Sequence, residues 1–173
     1  HEEAAVSYRT AVEKRGNFTA AQFALGKALL RLRQYDQAER AVRSVLLLEP
    51  SNSEAALLLG SIYDAQGNYQ GSATALERGL EQNPGNSKLK LNLGIQTVKG
   101  GDFDGGTALI REVLESDKSS YAANAALGWA YLQRRELTLA ESSLLEAARL
   151  KPDDAAVHNN LGVLYEMKGE LEK

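Results

Sequence analysis

Between Asn52 and Pro84 the apolar positions recur at helical spacing, break once, and resume. Ala55, Ala56, Leu59, Ile62 and Tyr63 form one stripe, the pattern of an amphipathic helix. Asn52 is a suitable cap before it, and the spacing predicts a helix running through Asp64. Gln66-Gly67-Asn68 interrupts the stripe with residues that favour a turn. A second helix is predicted from Tyr69 to Gln82, and Pro84, which lacks an N–H and clashes with the preceding turn, blocks its continuation. No segment alternates as a strand does.

This pair of helices is one copy of a repeat. Leu25-Gly26, Leu59-Gly60, Leu93-Gly94, Leu127-Gly128 and Leu161-Gly162 stand 34 residues apart. Tyr63, Tyr131 and Tyr165 follow three residues after their glycines, with Leu29 and Thr97 in the other two copies. All three prolines, Pro50, Pro84 and Pro152, share a column whose remaining member is Lys118. Two residues on come Asn52, Asn86, Ser120 and Asp154, all good N-caps. Small residues hold another column at Ala38, Ser72, Gly106 and Ala140. A turn column carries Gly67, Gly101 and Gly169, with Arg33 and Arg135 in the remaining copies. Tyr35, Tyr69, Phe103, Leu137 and Leu171 come two residues later. The Leu-Gly glycines lie mid-helix, where glycine costs about 1 kcal/mol against alanine. Close approach of the partner helix backbone is the expected compensation.

A fixed step of this size marks a solenoid. The chain resembles the tetratricopeptide repeat family, whose pattern has a leucine and a small residue, then an aromatic, in the first helix. Small residues follow in its second helix, and a proline comes near its end. Leu59-Gly60, Tyr63, Ser72 and Pro84 carry that pattern in one copy; Leu127-Gly128, Tyr131, Ala140, Ala147 and Pro152 carry it in another. The family's early tryptophan column holds Gln22, Ala56, Lys90, Asn124 and His158. The resemblance implies an all-α solenoid of antiparallel helix pairs in a right-handed superhelix. Residues 1–18 read as the second helix of a preceding repeat, 19–52, 53–86, 87–120 and 121–154 as four full repeats, and 155–173 as the start of a further one. Neither end shows the polar cap that closes a free array, so the chain is expected to be a piece of a longer one.

The resemblance also implies that first helices line a concave face. The candidate partner-binding residues follow from their columns: Phe23, Leu57, Leu91, Ala125 and Asn159; then Lys27, Ser61, Ile95, Trp129 and Val163; then Leu30, Asp64, Val98, Leu132 and Glu166, with Asn92, Ala126 and Asn160 between rows. Leu91, Ile95, Val98, Trp129 and Leu132 are expected to form one apolar patch, and such patches mark partner sites. Trp129, the only tryptophan, shares a column with Lys27 and Ser61, which argues against full burial. Some family members grip a C-terminal carboxylate with a Lys/Asn clamp. The nearest candidates are Lys27, Lys88 and Asn92, but Phe23 and Leu58 hold the partner places, so that mode is not expected.

Composition narrows the chemistry. The 173 residues are 43% hydrophobic, enough for a sizeable core, and the formal charge is −3, which does not support a nucleic-acid face. There is no cysteine, so disulfides, a thiol nucleophile and Cys-based zinc sites are ruled out, while the compartment stays open. No apolar run approaches the roughly 18 residues that span a bilayer. Of two histidines, His158 has no second histidine beside it to share a metal. Glu2-Glu3 and Asp153-Asp154 suit helix first turns. The glycine-rich stretch Gly100–Gly106 lacks the Lys-Ser/Thr of a phosphate loop and reads as the repeat turn. Asn17-Phe18-Thr19 fits a glycosylation sequon and equally the turn-plus-aromatic column, which is preferred.

No catalytic constellation emerges, and neither a metal nor a cofactor is expected. The function expected is a non-enzymatic scaffold holding a peptide or amphipathic helix of a partner protein. By analogy with bacterial relatives, it would serve assembly of a pilus, a secretion machine or a polysaccharide exporter. Two alternatives are the targeting arm of a larger enzyme, such as a glycosyltransferase, and a module that self-associates through uncapped ends. The third repeat has the weakest helix propensity, with Gly100, Gly101, Gly105 and Gly106 and no proline. Amide hydrogen exchange is expected to be faster over Gly100–Thr107 than over the matching segment of the second repeat; slower exchange there would refute this.

Overall fold

In the computed structural model, residues 2–15 and 19–169 are described. They form ten α-helices and, among the described residues, no strand. These are α1 (Glu2–Arg15), α2 (Thr19–Arg31), α3 (Tyr35–Leu48), α4 (Ser53–Ala65), α5 (Tyr69–Gln82), α6 (Ser87–Lys99), α7 (Phe103–Ser116), α8 (Tyr121–Gln133), α9 (Leu137–Leu150) and α10 (Ala155–Met167). Asn17 and Phe18 of the sequon, and Leu171 of the aromatic column, lie outside the described residues. Two compact units are present, His1–Gln96 and Thr97–Lys173, dividing within α6.

The helix boundaries are set locally. Asn52 Oδ1 accepts the Ala55 N–H at 2.9 Å, Asn86 Oδ1 accepts from Lys88 and Leu89, and Asp154 Oδ1 accepts from Ala156 and Val157. Ser120 departs from the expected cap: its side chain makes no capping bond, although its backbone is extended as a cap's is. In the turn before it Asp117 Oδ1 accepts from both the N–H and the hydroxyl of Ser119, where the other repeats have proline two residues before the cap. Between the helices of each pair the chain closes through a left-handed residue: Gly67 at φ 73°, Gly101 at 102°, and Arg33 and Arg135 at 57° and 58°. The N–H of the following residue reaches five residues back, as Asn68 does to the Tyr63 carbonyl at 2.9 Å, the 6→1 bond of a Schellman motif. Gly100–Gly106 is the same turn, with Asp102 capping α7 by accepting from the Gly105 N–H.

In the first unit α1, α2, α3, α4 and α5 pack in chain order, each on the next. Leu29, Val42, Val45, Ile62 and Leu76 are essentially inaccessible at its core. In the second unit α7 packs on α8, α8 on α9, and α10 on both α8 and α9, around Ile110, Leu144, Val157 and Leu164.

The mid-helix glycines work somewhat differently from the expectation. A Cβ on Gly26 would sit 2.5 Å from Val42 Cγ2, one on Gly60 3.1 Å from Leu76, and one on Gly128 2.5 Å from Leu144 Cγ. Each glycine is therefore a socket for a branched side chain sixteen residues on. The partner backbone lies further off, at 3.5 Å for Gly26 and 3.3 Å for Gly128. The small-residue column completes the crossing: Ser72 donates its hydroxyl to the Gly60 carbonyl at 2.8 Å. Gly162 meets nothing within 4 Å among the described residues. Gln96 stands in the column of Ala28, Ile62, Ala130 and Leu164; it is buried, and its Oε1 has no hydrogen-bond partner among the described residues. An unsatisfied buried acceptor costs about 1–3 kcal/mol.

At the entry to α10, Asp154 also pairs with Lys151 at 2.8 Å, and the Lys151 ammonium lies 5.1 Å from the Tyr121 ring centroid. The Lys151 hydrogen bond first, then that of Tyr121, holds the Asp154 carboxyl well below its ordinary value of 3.8. Burial, and then the hydrogen bond to Asp154, pushes the Tyr121 hydroxyl up to about 12.

Two outcomes follow from this packing. Gly128→Ala is expected to destabilise the chain by about 1–3 kcal/mol, because Leu144 must move. Urea unfolding measures the loss, and an unchanged midpoint would refute it. A depressed carboxyl contributes stability above its unfolded-state pKa and loses it as pH falls through the folded value. Asp154→Asn should therefore lower Tm at pH 7, and the gap to the parent should close as pH falls below roughly 4; a gap independent of pH would refute the assignment.

Candidate functional site

The first-helix rows are described within each unit. In the first, Phe23, Leu30, Leu57, Asp64, Asn92 and Ile95 are half-buried, and Lys27 and Ser61 are exposed. The Lys27 ammonium lies 5.6 Å from the Phe23 ring centroid, and Ser61 donates to the Leu57 carbonyl at 2.9 Å. Leu91 is buried. In the second unit Ala125, Trp129, Asn160 and Val163 are half-buried, Asn159 and Glu166 are exposed, and Val98, Ala126 and Leu132 are buried. Of the five side chains expected to form an apolar patch, Leu91, Val98 and Leu132 thus have little surface to offer a partner, while Ile95 and Trp129 keep part of theirs. Burial follows from packing: at 4% exposure Leu132 is enclosed about as fully as Leu127 at 5%. The carboxylate-clamp candidates are engaged locally, Lys88 with Glu54 at 3.5 Å and Asn92 with the Lys88 carbonyl.

The large apolar side chains that are exposed lie mostly elsewhere. Val6 and Tyr8 on α1, Leu47 and Leu48 on α3, Tyr69 on α5, and Leu139 and Leu145 on α9 are all on second helices. Leu47 is 81% exposed. The column reading missed this face, yet one signal was available. Successive residues of a helix turn by about 100°, so Leu46-Leu47-Leu48 cannot all point into one core.

Clefts border the second helices within each unit. Each runs between two second helices, with a first helix as its floor. One of about 230 Å³ lies between α1 and α3 over α2, and one of about 530 Å³ between α7 and α9 over α8. The largest of these three, about 810 Å³, lies between α3 and α5 over α4.

The polar groups form structural anchors. Tyr63 donates its hydroxyl to Glu39 at 2.9 Å and accepts from Arg43 at 2.7 Å, joining α4 to α3. Burial, then the Glu39 hydrogen bond, raises the Tyr63 pKa. Tyr131 accepts from Arg111 at 2.9 Å in the same way, joining α8 to α7. Phe103 packs against Tyr131 at 6.0 Å, and the Arg134 guanidinium lies 4.4 Å from the Phe103 ring centroid. The Thr19 hydrogen bond, then that of Asn52, lowers the Glu49 pKa. Exposed His158 places Nε2 2.5 Å from the Pro152 carbonyl oxygen. Among the described residues no group of three His, Cys, Asp or Glu side chains is placed to hold a metal ion, and no helix is long and apolar enough to cross a membrane.

Comparison with known proteins agrees with this architecture. No curated protein matches the chain by sequence. Among solved structures the crystal structure of MamA aligns at TM-score 0.70 with 21% identity, covering 91% of this chain and 86% of that one. YrrB, described as a TPR protein with an unusual peptide-binding site, aligns at 0.67 with 20% identity over 97% and 87% of the two chains. A thermophilic TPR protein of Thermus thermophilus aligns at 0.78 with 18% identity over 92% and 88%. These likenesses establish an all-α fold of the solenoid class, and no enzyme family is indicated. The tetratricopeptide repeat family model matches residues 23–87, 91–155 and 126–173, and with paired helices recurring every 34 residues the chain belongs to the tetratricopeptide repeat family.

Proposed function

We propose that this chain is a non-enzymatic scaffold that holds a peptide or amphipathic helix of a partner protein on its first-helix faces. Family membership supports a protein-binding role. One observation carries the choice of face: at two neighbouring registers of the first helices, Phe23 and Leu57 at one and Ile95, Trp129 and Val163 at the other are left half-open, while the leucine of every Leu-Gly pair beside them is buried. Half-open apolar and aromatic side chains lose their remaining contact with water when a partner covers them, and aromatic anchors dominate such contacts. Lys27, Ser61, Asn92 and Asn160 supply the polar groups that would orient the segment, and Leu91, Ala126 and Leu132 are buried within their own units.

The test compares recovery of partners from the source cell by the intact chain and by Trp129→Ala and Leu57→Asp. Loss of one or more defined partners with both variants is expected, with circular dichroism unchanged. Equal recovery of every partner would remove this face from consideration.

A further inference from the structure

The cleft between α1 and α3 over α2 shares no lining residue with the half-open first-helix row, and its role does not depend on theirs. We propose that it is an oxyanion site, which takes a phosphate monoester group through the guanidinium groups of Arg9 and Arg40.

Arg9 belongs to a column whose other arginines have a structural task. At 34-residue steps the column continues with Arg43, Glu77 and Arg111. Arg43 donates to the Tyr63 hydroxyl at 2.7 Å and pairs with Glu39 at 3.1 Å. Arg111 donates to the Tyr131 hydroxyl at 2.9 Å. Between α1 and α2 both kinds of partner are gone: Leu29 stands in the column of Tyr63 and Tyr131, and Ala5 in that of Glu39. Both are buried, and neither side chain offers an acceptor. Arg9 turns instead to Gln37, donating from Nη2 to its Oε1 at 2.9 Å. That acceptor is neutral, so it orients the guanidinium without balancing its charge.

A second cation lines the same space. Arg40 is exposed, and its side chain has no hydrogen-bond or ion-pair partner among the described residues. Asp36 and Glu39 are the acids of α3; neither lines the cleft, nor does any other acid. The lining thus sets two guanidinium groups against no carboxylate, in a chain whose formal charge is −3. The cleft between α3 and α5 differs, because Glu81 joins its arginines and Arg43 is already paired. Gln22 and Gln37 add amide donors. At about 230 Å³ the space is smaller than the roughly 300–1,000 Å³ that encloses a whole ligand, and it suits a single group. A phosphate monoester carries about −1.5 to −2 charge at pH 7 and three acceptor oxygens, which matches two cations. A lone carboxylate would leave one of them unbalanced. The guanidinium fork binds phosphate through two parallel N–H donors.

Calorimetric titration of the whole chain with inorganic phosphate and with a short phosphoserine peptide tests this, with acetate as the monoanion control. Both phosphates are expected to bind, and acetate more weakly. Tighter binding of the peptide would place the group on a partner protein, and equal binding would indicate a free ligand; either bears the proposal out. Affinity should fall about tenfold or more with Arg9→Gln and with Arg40→Gln, each of which removes charge-assisted hydrogen bonds, and should weaken with salt. Leu29→Tyr restores the acceptor that holds Arg43 and Arg111, and should lower affinity with both arginines in place. Arg78→Gln, at an exposed arginine outside this cleft, and Trp129→Ala should change nothing. Circular dichroism checks folding, and should Leu29→Tyr fail to fold, the two glutamine variants decide. No binding of either phosphate at millimolar concentration, affinity kept in both glutamine variants, an equal loss with Arg78→Gln, or acetate binding as tightly would overturn the proposal.

Discussion

Three of the helical hairpins turn on a branched side chain seated where a glycine has no Cβ. Val42 over Gly26, Leu76 over Gly60 and Leu144 over Gly128 are the same contact, each between residues sixteen apart. The balance is favourable. Glycine in mid-helix forfeits about 1 kcal/mol, while full burial of a valine or leucine contributes about 1.5–3 kcal/mol. The contact also sets how near the two helices approach. That distance decides whether Ser72 can reach the Gly60 carbonyl and whether the leucine before each glycine is buried or left in water.

Once the crossings are set, each hairpin has two outward faces of different character. First helices present half-open side chains interleaved with polar ones, such as Lys27 beside Phe23. Second helices carry most of the strongly exposed apolar residues and border the clefts. In the first unit α4 packs against α2, α3 and α5. A side chain such as Leu47, at the end of a second helix, finds nothing to cover it.

Much of this was legible because it is local. The caps at Asn52, Asn86 and Asp154, the stops before Pro50, Pro84 and Pro152, and the left-handed turns at Gly67 and Gly101 depend on residues within a few positions of one another. Arg33 and Arg135 adopt the same left-handed turn without glycine, and only the column alignment hinted that they would. Ser120 shows the limit even locally: a good capping residue leaves its hydroxyl unused when Asp117 organises the preceding turn.

The amino-acid order by itself determined the helices, their pairing, the 34-residue step and the family, since each rests on short-range sterics and on a period repeated along the chain. It named the column of every residue but not its exposure. That Leu91, Val98 and Leu132 are covered, that Trp129 is half-open, and that a cleft opens where Ala56 meets Gly79 were decided by the tertiary structure. The reason is physical: exposure is set by atoms brought from residues distant in sequence, and a column fixes which way a side chain points without fixing what stands in front of it.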